Sequence, residues 1–237
     1  MSTRSRLLFT PMKIGNLTVK NRIVFSAHLT NYAEDFMPSE RHLFYYRERA
    51  RGGAGLIITE EQSTHPTDHP YEKLIHAFHR AVIPHYRRIT AAVHAEDVPI
   101  LAQINHNGGQ GSGMFTRLPA WAPSALADPL FREVAKAVEH EDIREIIQGY
   151  ARVSAYTREG GFDGVELQCS HSSIVRQFLS RNTNHRADQY GGSLENRARL
   201  LREIIAAIRN EVGRDYVISV RLCGDELIRD GITLDEA

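Results

Sequence analysis

Five short apolar runs, each followed by a stretch of helical character, limit what this chain can fold into. The runs are Asn21 to His28, Gly55 to Glu60, Val98 to Ile104, Phe162 to Cys169 and Tyr216 to Leu222. They are short and nearly continuous in apolar character, which marks strands buried on both faces. Between them, Ser39 to Ala50 reads as a helix with Ser39 at its N-cap and Gly52-Gly53 as its stop. Ala81 to Ala95 reads as a second helix, with Pro84 near its start. In Asp142 to Glu159, the residues Ile143, Ile146, Ile147 and Tyr150 share one face. In Leu194 to Val212 the stripe is Leu200, Leu201, Ile204, Ile205, Ile208 and Val212. Repetition of this kind predicts a parallel sheet covered by helices.

An open doubly wound sheet and a (β/α)8 barrel both satisfy that pattern. A dinucleotide-binding sheet places a Gly-x-Gly-x-x-Gly turn after its first strand, and none follows His28. Polar residues instead gather just after each strand, as barrel enzymes arrange them. Ile14 to Val19, with Gly15-Asn16 at its centre, reads as a small hairpin suited to closing the bottom of a barrel. Strand–helix units here average about 49 residues, so eight would need about 390, within the range of barrels with insertions. The 237 residues therefore predict a TIM barrel truncated after about five units. The expectation is one barrel domain over residues 1–237, incomplete at its C-terminus, with either a longer natural protein or a piece of marginal stability on its own.

Charge narrows the partners. Lys plus Arg and Asp plus Glu both number 29, which gives no signal for nucleic acid or an anionic membrane surface. Apolar runs fall well short of a membrane span, and the basic start, Met1 to Arg6, is not followed by a signal-peptide core. Two cysteines, Cys169 and Cys223, build no disulfide framework and point to a reducing cytoplasm. A small-molecule substrate is the expected partner, with a homo-oligomer or an electron-transfer partner left open.

The strand ends carry the candidate chemistry: Ser26, Ala27 and His28; Glu60 and Glu61; Gln103, Asn105 and His106; Gln168, Cys169 and His171; and Arg221. An amide, an arginine and several histidines without paired carboxylates at one clear spacing suit a flavin ring. Gln103 matches the donors and acceptors of its pyrimidine edge, and Arg221 faces its electron-rich side.

With Leu8-Phe9-Thr10-Pro11, Leu17 to Arg22, Gly164-Val165-Glu166, Gln177 to Ser180 and Asn184 to Arg197 in order, the chain resembles the Old Yellow Enzyme family of FMN oxidoreductases. The resemblance covers essentially the whole chain, and it is nearest the trimethylamine dehydrogenase-like and 2,4-dienoyl-CoA reductase-like branch. It implies a TIM barrel and FMN. Gln103 and Arg221 would bind the isoalloxazine, Ser26, Ala27 and His28 would pass along it, and His171 would be the catalytic, substrate-handling residue. Gln168, Ser173 and Glu61 are the expected substrate contacts.

Departures from the family pattern redirect the chemistry. The usual tyrosine proton donor is replaced by Ser173, a far weaker acid, and Leu29 replaces a cysteine found in some relatives, so FMN should be noncovalent. A carboxylate at Glu60 or Glu61 would draw in a cationic substrate and points to oxidative N-demethylation of an N-methylated amine. The alternative is NAD(P)H-dependent reduction of an activated C=C bond.

Two other classes stay open. The segment His65-Pro66-Thr67-Asp68-His69 admits a metal-dependent barrel hydrolase, although a mouth or surface loop is the simpler reading, so no metal ligand is assigned. An inactive fragment is the other, because the family's phosphate site lies near the seventh and eighth strands. A 4Fe–4S cluster is expected only if further C-terminal sequence supplies its cysteines. The polar signature from Asn184 to Arg197 reads as structural, with an Arg186–Asp188 pair, a Gly191-Gly192 turn and Ser193 as N-cap.

Overall fold

The computed structural model describes residues 3–237; Met1 and Ser2 of the basic N-terminal segment lie outside the described residues. After α1 (Thr3–Leu8), the chain forms the hairpin β1 (Met12–Ile14) and β2 (Leu17–Val19), turning at Gly15 with φ of +56°. Then come β3 (Val24–Phe25), α2 (Glu40–Arg51), β4 (Leu56–Ser63), β5 (Ile75–His76), α3 (Val82–His94) and β6 (Ile100–Asn105). The long segment before the next helix holds α4 (Gly113–Thr116) and the paired β7 (Trp121–Ala122) and β8 (Lys136–Ala137). The rest is α5 (His140–Glu159), β9 (Gly164–Cys169), α6 (Ile174–Leu179), α7 (Leu194–Arg197), α8 (Arg199–Val212) and β10 (Val217–Leu222).

The main sheet runs β3-β4-β6-β9-β10, all parallel, and β5 continues its edge beside the end of β4. Strand order follows chain order without a reversal. A doubly wound sheet reverses at its switch point; a sheet that keeps adding strands on one side is the winding of a barrel. This is a partial TIM barrel with helices on its outer face.

Strand parity separates two interiors. Ile57, Ile100, Ala102, Ile104, Val165, Leu167 and Cys169 face the helices and join Tyr86, Ile146, Tyr150, Ile204 and Ile208 in the large core. Leu56, Ile58, Leu101 and Val217 face the barrel axis and pack with Val19, Met12, Ile14 and Leu17 of the hairpin. The hairpin thus plugs the N-terminal end of the barrel, as its position in the sequence led us to expect.

Two elements are shorter or more broken than the periodicity suggests. The strand expected from Asn21 to His28 is reduced to two residues. The Asn21 side chain bonds the Gly53 carbonyl and the Ile23 amide at 2.8 and 3.0 Å, which holds the strand start out of the ladder. The last long helix is interrupted only at Ala198.

The 184–197 signature is structural. Arg186 pairs with Asp188 and also binds the Pro123 and Val138 carbonyls, while Asn184 ties Phe178 to Tyr190. A Cβ on Gly191 would lie 2.0 Å from the Arg186 carbonyl oxygen, so only glycine fits that turn. Ser193 accepts the Asn196 amide as N-cap. Arg197 is fully buried and bonds the Leu179 and Gly192 carbonyls and Glu236.

Candidate active site

At the C-terminal ends of the strands, Ala27, His28, Leu29, Glu61, Tyr71, Gln103, Gln168, His171 and Arg221 surround a cleft of about 150 Å³. Inward parity brings them there. Gln103 is two residues beyond Leu101, and Gln168 and Arg221 follow Glu166 and Ser219, which pair across β9 and β10.

Glu61 reaches the cleft by a different route. Leu56 and Ile58 point inward, so strict alternation would turn Glu60 inward too. The register shifts between Ile58 and Glu61, and such a bulge re-aims the side chains that follow it. Glu60 consequently faces α2, where it meets His42 Nε2 at 2.5 Å and accepts from Thr30 N at 3.0 Å. Its displaced main-chain amide donates to Tyr46 Oη at 2.9 Å. Glu61 faces the axis.

The buried Glu166 organises the inner wall. Its Oε1 accepts Gln103 Nε2 at 2.8 Å and Arg221 Nε at 3.0 Å. Gln103 Oε1 and both Arg221 Nη groups have no partner among the described residues and are left for a ligand. A fixed acceptor, a cationic fork and the edge formed by Ala27, His28 and Leu29 fit a flat heteroaromatic ring with a polar edge, which is what a flavin presents. Sequence reasoning quoted Glu166 only as part of a motif. The spacing Glu166–Gln168 against Gln103–Asn105 was the signal for its inward position.

Glu61 has amide partners only. Asn105 Nδ2 lies 2.8 Å from its Oε2 and Asn107 Nδ2 3.4 Å from its Oε1. Burial, reinforced by the nearby Asp68, pushes its carboxyl up to about 7. His171 sits on the opposite wall, its Nε2 3.3 Å from Gln168 Nε2. Burial and then the Arg221 and Arg176 guanidiniums lower its imidazole, so it is neutral at neutral pH.

Other expected residues lie elsewhere. Ser173 is fully buried; its hydroxyl donates to the Gln168 carbonyl at 2.6 Å and caps α6 by accepting Val175 N at 3.2 Å. It does not line the cleft, because the turn into α6 needs that hydroxyl. Ser26 is exposed and is also outside the cleft lining.

In the 65–69 segment His65, Asp68 and His69 are buried, Thr67 is half-buried and Pro66 is exposed. Thr67 Oγ1 bridges His65 and His106 at 2.8 and 3.0 Å, and both rings pack near Trp121. Among the described residues no group of three His, Cys, Asp or Glu side chains is placed to hold a metal ion. No helix among the described residues is long and apolar enough to cross a membrane.

Comparison with known proteins agrees with this geometry. The chain is 39% identical to the N,N-dimethylglycine/sarcosine dehydrogenase of Chromohalobacter salexigens, over 97% of this chain and 34% of that protein. It is 36% identical to a Rhizobium meliloti protein named "Probable N-methylproline demethylase", over 94% of this chain and 33% of that one. A solved 2-naphthoyl-CoA reductase in complex with 2-naphthoyl-CoA superposes with a TM-score of 0.93 at 32% identity, covering 98% of this chain and 37% of that one. The chain thus spans about a third of the length of these relatives. The NADH:flavin oxidoreductase / NADH oxidase family matches residues 7–237, and the chain belongs to that family.

Proposed function

We propose that this chain forms the substrate-facing part of an FMN-dependent oxidoreductase that demethylates an N-methylated amine. The carrying observation is Glu61, a buried carboxyl directed by the bulge into the cleft bordered by Gln103 and Arg221. No cationic side chain pairs with it among the described residues, so its natural counter-charge is a ligand. Two relatives named for work on N-methylated amino acids support the same reading.

FMN, when bound, supplies the hydride acceptor. Gln103 offers an acceptor and an N–H to its pyrimidine edge, and Arg221 compensates negative charge there. Leu29 lines the cleft with no thiol, and Cys169 is buried on the helix side of β9, which supports noncovalent FMN. Glu61 holds the cationic nitrogen, and His171, neutral, orients the rest of the substrate. An electron acceptor or electron-transfer partner completes turnover.

The alternative, reduction of an activated C=C bond by NAD(P)H, draws on the close superposition with the naphthoyl-CoA reductase. It needs a proton donor, and Ser173 is committed to capping α6. Anaerobic mixing of the full-length holoenzyme with an N-methyl amino acid separates the two: loss of the oxidised flavin absorbance supports demethylation. No bleaching by amines, with reoxidation of NADH-reduced enzyme by an enone, would reverse the assignment.

Two further outcomes are expected. His171→Ala should slow flavin reduction about tenfold, a loss of roughly 1.4 kcal/mol, while FMN remains bound; equal rates in mutant and parent would remove His171 from substrate handling. Because Glu61 is held near 7, its carboxylate population grows as pH rises through neutrality. Affinity for a quaternary ammonium ligand should therefore increase across that window and level off above it. Isothermal titration at stepped pH measures this, and a flat profile would exclude Glu61 as the cation's partner.

A further inference from the structure

Behind Glu61 lies a second carboxyl that the cleft does not use. Asp68 is 3% exposed and has no cationic partner among the described residues. Its Oδ1 accepts Asn107 N at 2.9 Å and Asn107 Nδ2 at 3.1 Å. The same Nδ2 lies 3.4 Å from Glu61 Oε1, so one amide bridges the two carboxyls. Asp68 Oδ2, Asn105 Oδ1, Asn107 Oδ1 and Tyr150 Oη are buried without a partner. Three of them are acceptors only, and no cation among the described residues joins the network. Two buried carboxylates joined through one amide do not both ionise near neutrality, so such a pair retains a proton.

We propose that Glu61 and Asp68 form a proton-sharing pair bridged by Asn107, and that this pair takes the N–H proton of the substrate ammonium. The proposal rests on the demethylation reading. Glu61 touches the substrate; Asp68 is a positioning residue that acts through it by holding the pair at a single negative charge. In the step, the ammonium N–H bond breaks, an O–H bond forms on Glu61, and the electron pair stays on nitrogen. With FMN bound, that pair would form the C=N bond as the N-methyl C–H bond breaks, the flavin supplying the hydride acceptor. The amine loses two electrons and the flavin gains them, so no other oxidant enters.

The surroundings suit a base working near neutrality. Burial pushes Asp68, like Glu61, up to about 7. Glu60, on the opposite face of β4, adds a smaller repulsion. Tyr71 at the cleft wall and Tyr150 from α5 are both held protonated, primarily by burial and with contributions from these two carboxyls. Across the cleft, Arg221 is tied to Glu166, and His171 is neutral. His106 at the end of β6 is also kept neutral by burial.

Infrared difference spectra over pH, on full-length protein freed of flavin, test the pair without relying on turnover. The parent should show a protonated-carboxyl C=O band that disappears around neutrality. In Asp68→Asn the Glu61 band should titrate about one unit lower, and in the near-isosteric Glu61→Gln the Asp68 band should shift in the same direction. With holoenzyme, the acidic limb of kcat/KM for a tertiary amine should move by about one unit toward acid in Asp68→Asn while FMN affinity is unchanged. Independent titration of the two carboxyls, or an unmoved limb in an enzyme that does oxidise amines, overturns the proposal. Coupled bands in a protein that oxidises no amine overturn the acceptor role together with the demethylation reading and leave only the carboxyl pair.

Discussion

Arg197→Met is expected to lower the stability of the chain by about 3 kcal/mol, the scale of losing charge-assisted bonds to buried acceptors. Arg197 is among the largest fully buried side chains. Its Nε donates to the Gly192 carbonyl at 3.1 Å, one Nη to the Leu179 carbonyl, and the other to Glu236 at 2.7 Å. One guanidinium thus joins the end of α6, the Gly-Gly turn and the final turn of the chain. Methionine fills much of the volume but leaves the two carbonyls without donors. Glu236 keeps Arg181, so the loss falls chiefly on the carbonyls. At this chain length the midpoint of thermal unfolding should drop by about 6–12 °C. Arg197→Lys should recover only part of that, because an ammonium cannot reproduce three divergent donors. A midpoint within about 2 °C of the parent would mean the signature loop is held by its backbone turns alone.

The second large effect is expected at Glu166. Replacing it with leucine frees Gln103 Nε2 and Arg221 Nε, the two groups it holds at 2.8 and 3.0 Å. Both side chains then lose their fixed direction toward the cleft. Two charge-assisted contacts, each worth about 1.5 kcal/mol net, correspond to an FMN affinity about 100-fold weaker. Glu166→Gln keeps an acceptor but loses the charge, and should cost about tenfold. Titration of flavin fluorescence against full-length apoprotein measures both. An unchanged dissociation constant in the leucine variant, with thermal stability intact, would show that Gln103 and Arg221 do not depend on Glu166 for their aim.

The fold was largely readable because its signals are local and repeated. Four of the five apolar runs, the hairpin turn at Gly15-Asn16 and the stripe ending at Val212 report their element directly, whereas Asn21 to His28 leaves a strand of two residues. The axis-facing residues beyond the strand centres were readable too, since Gln103 and Arg221 follow the parity of Leu101 and Val217. What escaped was whatever depends on a break in that regularity. The bulge between Ile58 and Glu61 leaves no trace in a run of Thr59-Glu60-Glu61, so which glutamate faces the cleft could not be read from spacing. Ser173 was placed by analogy with a residue that reaches substrate, but the geometry of the β9–α6 turn recruits its hydroxyl as a cap. Asp68 lies in a histidine-rich stretch whose composition suggests metal. Its burial beside Asn107 is a long-range outcome of packing the 65–69 segment against Trp121 and β6.

With the Met12–Val19 hairpin filling the lower end of the barrel, traffic to the cleft comes from the strand-end side. Under the proposed function, a reductant and an oxidant that each had to touch the cofactor would share that opening, and one would have to leave before the other entered. Excess of either should compete with its counterpart, a mutual inhibition visible in steady-state rates. An acceptor that draws electrons from outside the opening stands free of that queue, so the presence or absence of mutual inhibition tells by which road the electrons leave.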